Sequence, residues 1–297
     1  MRRRDFLVAG VGGLTASLVW RRGSLAVAAD VRQHPDFETL ERSVGGRLGV
    51  AALDTATDRT LAWRAGERFP MCSTFKWLLA AQVLSRADAS QESLSRALPY
   101  GESDLLDHAP ITRARLGEGR MSISDLCEAA IRYSDNTAAN LLLRTVGGPA
   151  GFTSYLRAIG DGVTRLDRME PDLNSAEPGD PRDTTTPEAM LANLKALLLG
   201  QRLAVASREL LSRWLVENTT GAGKLRAGVP ADWRMGDKTG MGANGATNDV
   251  AIAWPPGGAP ILVAAYLTET DADLAARNAV LARVGRIVAQ FTSRPES

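Results

Sequence analysis

The spacing of apolar and polar positions changes character several times along the chain, and each change predicts an element. Over residues 34–44 apolar side chains recur at helical intervals until Gly45-Gly46 stops them. Residues 47–54 and 60–67 are β-compatible runs joined by Thr55-Ala56-Thr57-Asp58-Arg59, a hairpin pattern. Over residues 73–85 apolar residues are nearly continuous, as in a helix buried on most sides. Helical spacing then recurs over 124–132, 136–146, 151–159, 186–199 and 207–218, punctuated by Gly and Pro. Between Asp161 and Thr186 periodicity disappears, and Pro171, Pro178, Gly179 and Pro181 mark a long loop. Loops of that length inside a compact domain tend to carry function. Strand spacing returns over 234–239, 248–254 and 261–268, and a final helix is predicted over about 272–291. Strands near both ends around a helical middle predict an α+β chain, a sheet lobe built from the two termini with a helical lobe inserted.

Composition narrows the function. Apolar residues are 44% and charged residues 23%, ordinary for a globular protein. The net charge of +1 comes from 35 basic and 34 acidic residues without a run of either sign, which argues against nucleic acid as a partner. His34, His108, Cys72 and Cys127 are not at metal-ligand spacing from one another, so neither a hydrolytic zinc site nor any other metal is expected. The tryptophans, Trp77, Trp214 and Trp233 among them, read as packing residues.

The first residues read as an export signal. Arg2-Arg3-Arg4-Asp5-Phe6-Leu7 opens an apolar stretch over 6–20 that ends in Ala26-Val27-Ala28-Ala29. That stretch is short and glycine-rich for a stable membrane span, and the alternative is an uncleaved anchor. Arg3-Arg4-x-Phe6-Leu7 resembles the twin-arginine export motif, which makes the export machinery a partner and predicts cleavage after Ala28 or Ala29 and a periplasmic or secreted product. Export favours disulfides, yet Cys72 and Cys127 both sit in apolar settings, and two free thiols are expected.

Ser73-Thr74-Phe75-Lys76 puts a hydroxyl and an amine three positions apart, on one face of a helix. The amine accepts a proton only after losing its charge, which burial and neighbouring cations promote. Alone, this spacing more often means a serine at a helix start and a surface lysine. Ser134-Asp135-Asn136 and Lys238-Thr239-Gly240, each occurring once and in that order, change its meaning. The three motifs together resemble those of class A β-lactamases and penicillin-binding proteins, and the likeness runs from the first hairpin to the terminal helix.

The resemblance implies a two-lobe serine β-lactamase-like fold, an antiparallel sheet flanked by terminal helices plus an all-helical lobe. Residues 1–29 would be the signal, 30–70 and 220–297 the α/β lobe, and 71–219 the helical lobe with an omega-type loop at 165–183. It implies Ser73 as nucleophile with Lys76 beside it, and Ser134 as proton donor to the departing lactam nitrogen. Asn136 would bind the substrate's side-chain amide, and the backbone N–H groups of Ser73 and Met241 would form the oxyanion hole. Lys238, Thr239, Gly240 and Thr247 would bind a substrate carboxylate. Relatives add an arginine there; the matching place holds Lys224, a second site cation or a surface lysine. His108 stands where relatives place an aromatic gate, although a lone histidine is more often a surface or loop residue.

Glu170-Pro171-Asp172-Leu173-Asn174 separates hydrolysis from simple acylation. The resemblance makes Glu170 the base that activates water against the acyl ester, Asn174 its support, Arg168 and Asp183 an ion pair closing the loop, and the Glu170–Pro171 peptide cis. Penicillin-binding proteins lack this segment. The expected activity is β-lactam hydrolysis through a serine acyl-enzyme by a monomer that needs no cofactor, conferring antibiotic resistance. The alternatives are a DD-peptidase and a β-lactam sensor domain.

Overall fold

A computed structural model describes residues 31–32 and 35–292; the export segment lies outside them. In chain order the elements begin with β1 (Val31–Arg32), α1 (Pro35–Val44), β2 (Arg47–Asp54), β3 (Thr60–Trp63) and β4 (Phe69–Pro70). The helical middle follows with α2 (Phe75–Asp88), β5 (Ala97–Pro99), α3 (Pro110–Ala114), β6 (Arg120–Ser122), α4 (Ile123–Arg132), α5 (Asn136–Thr145) and α6 (Gly148–Ile159). Then come β7 (Thr184–Thr185), α7 (Pro187–Leu194), α8 (Val205–Val216), β8 (Arg234–Met241), β9 (Thr247–Trp254), β10 (Ile261–Thr268) and α9 (Leu274–Thr292).

The large sheet has the order β1-β3-β2-β10-β9-β8 and is antiparallel except where β1 meets β3. Strands from opposite ends of the chain lie side by side, with β10 paired to β2 from Ile261 opposite Asp54 to Thr268 opposite Arg47. Side chains on a strand alternate between faces, and here both faces are covered. Leu262, Ala264 and Tyr266 join the core shared with the helical middle. Val263, Ala265 and Leu267 join a second core with Phe37 of α1 and Val280, Leu281 and Val284 of α9. Each leucine buried in this way stabilises the fold by about 1.5–3 kcal/mol. Trp77 and Trp214 are buried in the first core, and Trp233 packs against the second.

Polar side chains define several helix starts. Ser122, Asp135 and Thr186 each accept a hydrogen bond from the backbone N–H three residues on, at the starts of α4, α5 and α7. Several expected boundaries moved. The second hairpin strand stops at Trp63, because Arg64 turns to φ +44°. The helix expected from 151 begins at Gly148, since Pro149 fits a first turn and Gly147 precedes it at φ +87°. The nucleophile helix is α-helical only from Phe75, after a 3-10 turn over Cys72–Thr74. The helix expected over 186–199 is α7 followed by a π-helical turn, Lys195–Leu199.

Candidate active site

Ser73 sits in that 3-10 turn, between the sheet and α2. Cys72 before it takes φ +45°, a left-handed conformation that costs a non-glycine residue about 1–3 kcal/mol and persists only where its surroundings enforce it. Two side chains do so. Asn248 of β9 donates to Pro70 O at 2.8 Å and Met71 O at 3.1 Å, and the Thr74 hydroxyl donates to Met71 O at 2.8 Å. Strand β8 presses on the same turn: a Cβ on Gly240 would fall 2.7 Å from Met71 O, so only glycine lets the strand come this close.

Lys76, one turn further along α2, is fully buried. Its Nζ lies 2.9 Å from Glu170 Oε1 and donates to Ser134 O at 2.7 Å and Asn136 Oδ1 at 2.6 Å. Burial drives its amine towards the neutral form, against the attraction of Glu170. Ser134 stands between two amines, its Oγ 3.5 Å from Lys76 Nζ and 3.1 Å from Lys238 Nζ, with its own backbone at φ +58°. Lys238 is buried too, and its pKa falls to about 7, first through burial and then through the charge of Lys76. Asp135 is structural: its carboxylate accepts from Ala138 N at 2.9 Å, Ile111 N at 3.0 Å and Thr112 N at 2.9 Å, tying α5 to α3.

The long loop brings Glu170 to the same point. Ser73 Oγ donates to Glu170 Oε1 at 3.3 Å, and Asn174 Nδ2 donates to Glu170 Oε2 at 2.5 Å. The backbone of Glu170 is held from α5, where Asn140 accepts from Glu170 N at 3.0 Å and donates to Glu170 O at 2.9 Å. The Glu170–Pro171 peptide is cis. Arg168 Nε lies 2.6 Å from Asp183 Oδ2, whose second oxygen accepts from Asp167 N at 2.7 Å and Arg168 N at 3.0 Å. A two-residue ladder pairs β7 after the loop with β4 before the nucleophile turn, Phe69 opposite Thr185.

These groups border a cleft of about 300 Å³ lined by Ser73, Ser134, Asn136, Asn174, Thr239 and Gly240. Met241, 46% exposed at the end of β8, and the exposed His108 form part of its rim. His108 Nε2 is 3.1 Å from Tyr133 O, and its carbonyl accepts from Asn136 N at 2.9 Å. Lys224 is buried rather than on the surface, and it lines the cleft. Burial pushes its amine below the usual lysine range, against the attraction of Asp249 and Asp237.

A family model described as the beta-lactamase enzyme family matches residues 34–292. The chain is 50% identical over 282 residues to beta-lactamase L2 of Stenotrophomonas maltophilia, covering 95% of this chain and 91% of that one. It is 48% identical over 263 residues to beta-lactamase CTX-M-8 of Citrobacter amalonaticus, with 89% of each chain covered. Among solved structures, an ancestral (GNCA) class A beta-lactamase superposes with a TM-score of 0.85 at 60% identity, over 86% of this chain and 98% of that one. The chain belongs to the class A β-lactamases.

Within this β-lactamase, two residues expected to bind the substrate carboxylate, Lys238 and Thr247, are fully buried and do not line the cleft. Thr247 is fully buried and is not among the residues lining the cleft; its hydroxyl donates to Gly245 O at 3.1 Å and accepts from Arg277 Nη1 at 3.0 Å. It pairs with Met241 on the neighbouring strand, so the two side chains share a face, and what separates Thr247 from the cleft is its burial and its hydrogen bond with Arg277. Thr220 stands in the cleft instead, 2.6 Å from the Thr239 hydroxyl. Asn140, Asn248 and Thr220 escaped the sequence reading, because each is a single polar residue that reaches the site only through tertiary packing. Cys72 and Cys127 are buried free thiols in the β-lactamase, and burial raises the pKa of both, so neither is a ready nucleophile.

Proposed function

We propose that this β-lactamase opens the β-lactam ring through an acyl-enzyme on Ser73 and that water activated by Glu170 releases the product. The observation carrying this reading is that the Ser73 hydroxyl and the Lys76 amine both meet one carboxylate oxygen, at 3.3 and 2.9 Å, in a site sealed from bulk solvent on the side of α2. Deprotonation of Ser73 by the Glu170–Lys76 pair lets Oγ attack the lactam carbonyl, while the N–H groups of Ser73 and Met241 stabilise the oxyanion. Ser134, poised between Lys76 and Lys238, passes a proton to the ring nitrogen as the C–N bond breaks, and the amines restore it. Thr239, Thr220 and Lys224 on the cleft wall, with the fully buried Lys238 behind them, supply the hydroxyls and cations for a substrate carboxylate. In the second half, water held by Glu170 and Asn174 attacks the ester and Ser73 recovers its proton.

Glu170→Ala should still be acylated by benzylpenicillin but release product at least about 10²-fold more slowly. Intact-protein mass spectrometry would show the trapped adduct, and full nitrocefin turnover by this variant would sink the mechanism. A stoichiometric burst without turnover in the wild type would instead point to a peptidase or sensor. The sequence further supports export by the twin-arginine route and a mature protein beginning after Ala28 or Ala29. Among the described residues no helix is long and apolar enough to cross a membrane. The mass of the exported protein checks this, and an intact amino terminus would refute cleavage.

A further inference from the structure

Against the long loop, lined by none of the residues that line the substrate cleft, lies a separate cavity of about 110 Å³. Four arginines from different parts of the chain border it: Arg47 at the start of β2, Arg68 just before β4, and Arg168 and Arg182 from the loop. Three carboxylates border it as well, and two of them are already engaged. Glu269 accepts from Arg47 Nε at 2.9 Å, and Asp180 lies 2.8 Å from Arg182 Nη2 and 3.5 Å from Arg168 Nη2. The third, Glu177, is exposed.

Arg68 differs from the other three. It donates through Nη1 to Val163 O at 3.1 Å and Thr184 Oγ1 at 3.0 Å, both neutral, and among the described residues it has no carboxylate partner. Arg68 is exposed, so water rather than a carboxylate of the protein solvates its charge, and its guanidinium is free to meet an incoming anion. Thr268, at the end of β10, adds a second signal: it is 1% exposed, lines the cavity, and its hydroxyl has no hydrogen-bond partner. Buried hydroxyls are nearly always bonded, so an orphan here marks a place for a ligand atom or water.

We propose that this cavity binds a small tetrahedral oxyanion of the phosphate type. Guanidinium groups form paired, charge-assisted hydrogen bonds with such an anion, and a hydroxyl supplies a further donor. The volume admits one oxyanion with a few waters but no β-lactam. An occupant would link Arg68 and Thr268, which belong to the sheet side, to Arg168 and Arg182 in the loop, and so stiffen the segment that carries Glu170. The binding is independent of the hydrolytic reading; only its effect on turnover rests on it.

Melting temperature of the mature protein, measured in phosphate against chloride at equal ionic strength and pH 7, tests the proposal. Phosphate should raise it saturably, by about 3 °C once it exceeds its Kd tenfold. Arg68→Gln and, separately, Thr268→Val should each weaken that response while keeping wild-type nitrocefin turnover in chloride. A wild-type protein that responds equally to both salts overturns the proposal. A phosphate response that survives in both variants also overturns it and moves the anion to the cleft around Lys238. Loss of nitrocefin turnover in wild type counts against the hydrolytic reading alone.

Discussion

The large sheet and the long loop both deliver groups to one point, but by different physics. The sheet is clamped between two apolar cores, and the strands that carry Lys238 and Asn248 are buried along nearly their whole length. The loop buries little apolar surface, chiefly Leu166, Leu173 and Ala176, and is held by directed polar contacts: Arg168 with Asp183, Asn140 with the backbone of Glu170, and Asn174 with its carboxylate. Apolar packing spreads its stabilisation over many contacts. A polar anchor concentrates it, so removal of one partner leaves the other buried and unsatisfied. The sheet should thus govern whether the protein folds and the loop whether Glu170 is in place.

Three substitutions and one change of pH would sharpen or break that contrast. The largest effect belongs to the sheet: Leu262→Ala should lower unfolding free energy by about 2–5 kcal/mol, seen as a fall in denaturant midpoint, while turnover per folded molecule stays within about twofold. A large loss of kcat with little loss of stability there would undo the division of labour. In the loop, Asp183→Asn removes a charge from the contact with Arg168, and displaced catalytic groups lose rate steeply; kcat should drop about tenfold and the loop should become protease-sensitive. Unchanged loop protection in that variant would show that the ion pair is dispensable.

The smallest effect concerns charge on the sheet. Burial favours the neutral amine, so Lys238 is fully charged only below its pKa of about 7 and discharges above it. Capture of an anionic substrate should weaken as pH rises, and kcat/KM should fall about fivefold between pH 7 and 8. Lys224→Ala should add about a threefold rise in KM at the lower pH. A flat profile would remove Lys238 from the recognition of charge.

How far the sequence foretold this molecule follows the same contrast. Long continuous apolar strands were legible to the residue, as for Arg47–Asp54 and Ile261–Thr268, because packing on both faces selects apolar residues throughout. The ladders β4–β7 and β5–β6 are two or three residues long, too short to carry a period. Ser73, Lys76, Ser134, Lys238 and Glu170 stand in short motifs, and the fold brings them together. Asn140 had no such signature, since a lone asparagine inside α5 looks like any helix surface residue until the loop folds onto it. Thr247 differs in another way: the carboxylate site implied by the resemblance grouped it with Lys238 and Thr239, whereas its hydroxyl is taken up by Gly245 O and Arg277.

The pairing of β2 with β10 has a consequence for biosynthesis. An early strand must wait for one of the last to be made before its central backbone groups find their neighbour, and contacts between such distant segments form slowly. A nascent chain halted before Ile261 would carry an unsatisfied strand edge along β2, an adhesive surface towards other unfinished copies. Chaperone demand should accordingly fall on the period between synthesis of the helical middle and arrival of the carboxy-terminal strands.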